Sequence, residues 1–550
     1  MRSKTAKAAW LIGIVFLVGL LMALVAACGE EETTTTSAAP ATTATTSGGT
    51  TETTAAESTT TSAAEPQPVY GGVLRLIHNA SPQVLGYWPE QGPNDEAAVF
   101  PGVERIMRFA PGRTLVPDLA KEVTEDPDAL TITVKLNEGI LFHDGTELTA
   151  EVAKWNYDLA APTGKLQFAD AIKEFEIVDK YTYVLHLNYW HNQLLQSLGW
   201  VPMYSKEAYE KNGGQEWART HVVGTGPFIL KEFNRDQNLI WEKNPNYWRK
   251  GQPYLDGIEV TYITDGTTAA AMMEAGQADI WQSANAQERA EMIKKGFKVQ
   301  SGWAGFQFHL MPNTKDDTSP FKDQRVREAV EYALDKPAIC EAIGYGFYEP
   351  IYAVSPPGEW GSDRIVVKRE YNPEKAKQLL AEAGYANGLA IDILAPIEVG
   401  GRNTGAEAIK GYLDAAGFVT NIDIADPGRF YGSVFGTGWK HLALMFSGND
   451  VTYLMSACAW WGPQPKTNLA SFERPEEFKA LFDKALMART PEEQEKLTGD
   501  IVAYMNEHAL MIPLFHYPAA IVCQNYVHAP YPMEGGFVRW SWNETWMEEH

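Results

Sequence analysis

From Thr131 to Leu136 apolar and polar positions alternate, with Ile132, Val134 and Leu136 on one side, and this period of two predicts a half-buried strand. Asn137-Glu138-Gly139 predicts a turn, Ile140 to Phe142 a second strand, and Asp144-Gly145 another turn. Thr149 is then placed to cap a helix, with Glu151 in its first turn opposing the macrodipole favourably. Elsewhere the period lengthens to that of a helix. Val326, Ala329, Val330, Ala333 and Leu334 share one face of the segment from Asp323 to Leu334, leaving Arg325, Arg327 and Glu331 for another. Asn372-Pro373-Glu374 opens a helix with an N-cap and a proline at its first position, and Gly384 ends it. Thr490-Pro491-Glu492-Glu493 predicts a capping box ahead of Leu497, Ile501, Val502 and Met505. Short strand-like runs alternating with amphipathic helices make the body α/β.

The pattern breaks at the N-terminus. Arg2, Lys4 and Lys7 precede an uncharged run from Trp10 to Ala27, which suits a signal peptide or a short membrane helix. The boundary separates the two: Leu24-Val25-Ala26-Ala27-Cys28 puts small residues before a cysteine and looks like a lipoprotein processing box, with Cys28 acylated as the first mature residue. Several acyl chains on one residue give stable attachment, because each buried methylene contributes about 0.8 kcal/mol. Residues 29 to 68 are nearly all Thr, Ser, Ala, Glu and Gly, a composition that cannot offset its ordering entropy. As a flexible tether they span about 35 Å root-mean-square.

At 550 residues the chain is long enough for two or three lobes. A formal charge of −24 repels DNA, RNA and anionic membrane surfaces, which excludes nucleic acid as a partner class and gives an exported protein a solvated acidic surface. Cys340, Cys458 and Cys523 are the remaining cysteines of the body; they permit one internal disulfide, so the fold does not depend on a disulfide framework. His143 and Asp144 are adjacent in an extended segment, so their side chains leave on opposite faces and form no dyad. No HExxH, GxSxG or GxxxxGK[ST] motif occurs, and the spacings among His516, Cys523 and His528 fit no zinc pattern, so neither enzyme, metal site nor cofactor is expected.

Five stretches, in order, carry a resemblance. "LTITVKLNEGILFHDGTELTAEVAKWNYD", "VVGTGPFIL" (222 to 230), "NPNYW" (244 to 248), "SPFKDQRVREAVEYALDK" (319 to 336) and "YNPEKAKQLLAEAGYANG" (371 to 388) resemble the bacterial extracellular solute-binding proteins of family 5, the peptide- and nickel-binding group that serves ABC importers. The resemblance implies an α/β, two-lobed, periplasmic-binding-protein-like (type II) fold with an extra inserted domain. By position, one lobe comprises about 69 to 115, 222 to 303 and 511 to 550; the inserted domain is about 116 to 221, and the opposing lobe about 304 to 510. A monomer anchored at the outer face of the cytoplasmic membrane would close on a small molecule or peptide and present it to permease subunits, whose ATPase partner supplies the energy.

In peptide-binding relatives an acidic residue in a stretch resembling "FSGND" (446 to 450) pairs with the ligand's α-ammonium; here Asn449 holds that position and Asp450 follows, an inverted order. Family position also nominates Tyr87 and Trp88, Trp303 and Phe306, and Trp460 and Trp461 as cleft aromatics; Arg402, in "GGRNTG", has the bidentate geometry for a ligand carboxylate, with an ordinary surface arginine as the competing role. Core packing is the competing role for each tryptophan. Oligopeptide or dipeptide, nickel or a metal chelate, carbohydrate or another organic solute all stay open as ligands, and the same cleft would equally serve a sensor.

Overall fold

The computed structural model describes residues 67–110, 114–397, 404–448, 452–463, 469–529 and 541–549. Cys28 and the tether therefore lie outside the described residues. Two long strands organise the body. Lys298–Pro312 and Ile512–Cys523 pair antiparallel along most of their length at the centre of an eleven-stranded sheet. Outward from Ile512–Cys523 come Ile280–Trp281, Val73–His78, Gly257–Tyr262, Asn238–Lys243 and Phe228–Asn234, while Glu349–Pro350 also pairs with it. Outward from Lys298–Pro312 come Leu442–Gly448, Leu389–Pro396 and Phe418–Ala425. Parallel pairs occur on both sides, Val73–His78 with Gly257–Tyr262 and Leu389–Pro396 with Phe418–Ala425. Helices cover the sheet and let such strands be buried on both faces.

The two central strands belong to both halves at once. Lys298 to Ser301 face Cys523 to Ala520, next to the neighbours on one side. Gly305 to Leu310 face Pro518 to Ile512, next to the neighbours on the other. Between Ser301/Ala520 and Gly305/Pro518 the register shifts, since the first strand advances four residues and the second only two. A bulge of this kind bends the ladder locally. Gly305 is required there because a Cβ would overlap the Tyr517 carbonyl oxygen. Distinct apolar clusters lie on the two sides, one including Leu74, Trp241 and Ile258, the other Phe308, Val330, Ile393 and Phe515.

A separate four-stranded antiparallel sheet, in the order Ala120–Asp126, Thr131–Leu136, Thr182–Leu187, Ile172–Ile177, carries the inserted segment. Thr131–Leu136 buries Ile132, Val134 and Leu136, as its alternation predicts. The Thr149 hydroxyl accepts the Val152 amide and starts the helix Ala150–Ala160. Ile140 to Phe142 forms no strand; only an isolated bridge, Leu141 to Glu147, closes that turn. His143 and Asp144 do diverge. His143 Nε2 donates to the Gly226 carbonyl at 3.0 Å and Nδ1 accepts the Gly224 amide at 3.4 Å, whereas Asp144 accepts from Thr146 and Ser205. Asn244 also donates to Gly226 O, and Tyr247, Trp248 and Thr225 all donate to Glu104. Residues of the first three resembling stretches thus converge on one tight turn, where a Cβ on Gly224 or Gly226 would overlap Gly102.

Helix Gln324–Ala333 forms as expected, capped by Asp323, and Arg325 is exposed, but the rest of the expected polar face is not. Arg327 and Glu331 are buried: Arg327 donates to the carbonyls of Phe321, Lys322, His508 and Ala509, and Glu331 meets Lys336 and Arg369, each at 3.3 Å. Pro491–Glu507 is capped by Thr490, yet Glu493 turns back to the amide of Arg489 and not to that of Thr490, so only half the capping box forms. Cys340, Cys458 and Cys523 are free and buried. No helix among the described residues is long and apolar enough to cross a membrane.

The role of the bulge is open to test. Gly305→Ala should destabilise by about 1–3 kcal/mol through overpacking, whereas Gly411→Ala, in the exposed face of helix Ala406–Ala415 with open space around it, should stabilise by about 0.5–1 kcal/mol. Urea unfolding of both variants checks this; equal effects would contradict the role given to Gly305.

Candidate functional site

The central strand pair places a cluster of polar side chains inside the second half. Gln307, His309 and Met311 point to one face of Lys298–Pro312, and their neighbours on Leu442–Gly448 are Ser447, Met445 and Ala443. His309 Nε2 lies 3.3 Å from Ser447 Oγ, its ring stands edge-on to Trp461 at 5.8 Å, and Tyr453 lies 6.2 Å from Trp461. All five polar or aromatic groups are buried. Among the described residues Gln307 Nε2 and His309 Nδ1 have no hydrogen-bond partner. Burial pushes His309 down to about 3, so the ring is neutral at physiological pH. A group of neutral donors and acceptors with no formal charge suits a neutral polar group or water.

The nominated aromatics divide between the halves. Phe306 pairs with Gly448 and Tyr517 and packs edge-on against Phe446 at 5.6 Å, at the end of the strand that leads into positions 449 and 450. Trp303 sits on the crossing strand at the register shift. Trp461 is deep in the cluster just described, with its carbonyl held by Arg474 at 3.0 Å, and Trp460 lies 6.1 Å from Phe435. Tyr87 and Trp88 belong to the first half. The Tyr87 ring stacks on Tyr209 at 6.2 Å; Trp88 is buried in the core with the Lys165 ammonium 5.0 Å from its ring. Arg402, Asn449 and Asp450 lie outside the described residues. Among the described residues no three His, Cys, Asp or Glu side chains gather as metal ligands.

A contact that the sequence reading missed joins the inserted segment to the second half. Helix Glu476–Met487 ends without a glycine; the Ala488 amide caps Ala485 O, and the inserted segment supplies further donors to the carbonyls there. Asn192 Nδ2 donates to Ala485 O at 2.7 Å and to Ala488 O at 3.0 Å, the Asn192 amide donates to Leu486 O at 3.1 Å, and Trp190 Nε1 donates to Ala488 O at 3.3 Å. The Thr452 hydroxyl reaches the side-chain carbonyls of Gln193 and Gln196, and Asp128 pairs with Arg489. Beside this seam lies a cavity of about 360 Å³. The signal available in sequence was only "WHNQ", a polar run after a strand, which any surface loop also shows.

A sheet shared by two halves through one bent strand pair, with a second contact across a hydrogen-bonded seam, is a two-lobed arrangement. The description "Bacterial extracellular solute-binding proteins, family 5 Middle" matches residues 114–477, more than half of the chain, and the chain belongs to that family. It is similar to heme-binding protein A of Haemophilus influenzae, 28% identical over 506 residues that cover 81% of this chain and 88% of that one. The glutathione-binding protein GsiB of Escherichia coli O157:H7 is 30% identical over 329 residues, 58% of this chain and 63% of the relative. In fold it matches the periplasmic binding protein DppA of Helicobacter pylori, solved with the peptide STSA, at a TM-score of 0.75 and 23% identity over 88% of this chain and 99% of that one. The mixed α/β architecture is accordingly the two-lobed type II fold with an extra domain.

A pH dependence arises from the buried imidazole. Unfolded, His309 titrates near 6.5; folded, near 3, so between those values the unfolded chain binds a proton that the native state does not, and stability falls as pH drops from 6.5. His143 and His191, both held at about 4 by burial, act in the same direction. His309→Gln should reduce the loss of stability between pH 7 and pH 5 by about 2 kcal/mol relative to the parent chain, measured by urea unfolding at both values. Identical losses would contradict a neutral, buried His309.

Proposed function

We propose that this protein is the membrane-anchored, extracytoplasmic receptor of an ABC importer, which captures an oligopeptide or dipeptide by hinge closure and hands it on unchanged to the permease. The observation that carries this reading is the register shift between Ser301 and Gly305 in the paired strands Lys298–Pro312 and Ile512–Cys523, the one of their two shifts that falls where the neighbouring strands change, and we assign the rotation of the two bodies to it. Ligand binding then shifts the population toward the closed arrangement, because only that arrangement contacts the solute from both sides. The lobes are assigned as about 69 to 115 with 222 to 303 and 511 to 550, and about 304 to 510, with the insert at about 116 to 221. Peptide is favoured by the peptide complex of the DppA neighbour. Cleft aromatics are Phe306 at the hinge, with Tyr87 and Trp303, and Asn449, Asp450 and Arg402 are assigned to polar recognition. Trp88, Trp460 and Trp461 act behind them, as packing for the surfaces that close.

A receptor of this kind is stabilised by its own ligand. At a concentration one hundred times Kd the gain is about 2.7 kcal/mol, so a thermal-shift screen of the full chain against di- and oligopeptides, glutathione, heme and a nickel–histidine chelate should give a raised unfolding temperature in the peptide arm. A shift confined to another arm replaces peptide as the ligand class, and no shift in any arm contradicts a soluble-ligand receptor. For the anchor, mass spectrometry of the protein from its native membrane should find an acylated Cys28 as the first residue; an intact Met1 would contradict it.

A further inference from the structure

The cavity beside the seam has walls from two bodies. Phe168, Asp170, Tyr189 and His191 come from the inserted segment, and Cys458 and Asp483 from the second lobe. Its floor is buried: His191 and Cys458 are 5% and 3% exposed. Phe168 lies face to face with His191 at a ring separation of 3.7 Å, and holds a left-handed backbone at φ 61°, a conformation that so large a side chain adopts only where its surroundings impose it. His191 Nδ1 accepts the Gln193 amide at 3.3 Å, which leaves the Nε2–H as an unused donor in a side chain that is otherwise enclosed. The mouth carries Asp170, bonded by the Tyr189 hydroxyl, and the exposed Asp483. Among the described residues no lysine or arginine lines the cavity, and neither carboxylate has an ion-pair partner.

An occupant that satisfies all of these groups has three parts: a cation for the two carboxylates, an acceptor for the imidazole N–H, and an apolar or aromatic body for the ring stack. An α-ammonium, its neighbouring carbonyl and a hydrophobic side chain supply the three in the right order of connection. We propose that this cavity binds the N-terminal residue of a peptide, or a free amino acid, with the ammonium at Asp170 and Asp483 and the side chain on the Phe168–His191 stack. The inference rests on the reading of the chain as a solute receptor and gives its recognition site to the seam as well as to the hinge. Because the walls belong to bodies held together by Asn192, Trp190 and Thr452, an occupant touching both also favours closure.

The test is calorimetric titration of the full chain with Phe-Ala-Ala, N-acetyl-Phe-Ala-Ala and free phenylalanine, for the parent and for Asp170→Asn/Asp483→Asn. Both aspartates are exposed, so the double variant should keep the parent's unfolding temperature. Expected are binding of Phe-Ala-Ala, at least tenfold weakening on acetylation, and at least tenfold weakening in the variant. Free phenylalanine binding as tightly as the peptide identifies an amino acid as the source of the ammonium; tighter peptide binding identifies a peptide. Equal affinity of the acetylated peptide, or an unchanged variant, overturns this site and leaves the receptor reading standing, as does binding only of heme, glutathione or a metal chelate. Failure of every solute in both experiments overturns the two together.

Discussion

Everything in this molecule depends on one pair of hydrogen-bonded strands. Lys298–Pro312 and Ile512–Cys523 are the only long segments that run through both halves of the large sheet among the described residues, and each half builds its core against a different stretch of them. A strand pair resists stretching but bends where its ladder is interrupted. The interruption between Ser301 and Gly305, opposite Pro518 with its missing amide, falls where the neighbours change from one half to the other. Separate cores on either side, with a bend between, are the arrangement on which the proposed hinge rests.

The seam is the second half of that mechanism. At the end of helix Glu476–Met487 the Ala488 amide caps Ala485 O, and Asn192 and Trp190 donate to the carbonyls of Ala485 and Ala488, acceptors that water would satisfy in the proposed open arrangement. Since the exchange is of water for protein partners, each bond contributes modestly, about 1 kcal/mol. Contacts of that size would keep the proposed closure reversible and would leave the solute to set the balance between the two arrangements.

Local signals were legible where one interaction decides the outcome. The alternation of Thr131–Leu136 and the caps at Thr149, Asn372 and Thr490 are all read correctly from neighbours in sequence. Ile140 to Phe142 fails as a strand because a strand needs a partner, and only Leu141 finds one. Arg327 and Glu331 defeat the simple rule that charge faces water: carbonyls of Phe321, Lys322, His508 and Ala509 surround the first, and Lys336 and Arg369 neutralise the second. Those partners lie up to about 180 residues away, beyond the reach of any local pattern. The candidate site was less legible still. Family position points to Trp461 and Trp88 without saying that both are buried, and His309 and Gln307 look like the polar positions of an ordinary strand until the sheet shows that their face is covered.

The central claim is that the two bodies move as units about the bent strand pair. Three native thiols of the body are buried, so cysteines introduced by Lys173→Cys on the inserted sheet and Glu495→Cys on helix Pro491–Glu507 can be labelled selectively. Single-molecule energy transfer between them, set beside a control pair at Lys377→Cys and Glu495→Cys within one body, measures the motion directly. The account predicts that the first distance shortens as a stabilising solute is added while the control distance stays fixed. A first distance unchanged at saturating solute, or two distances that change together, would contradict it.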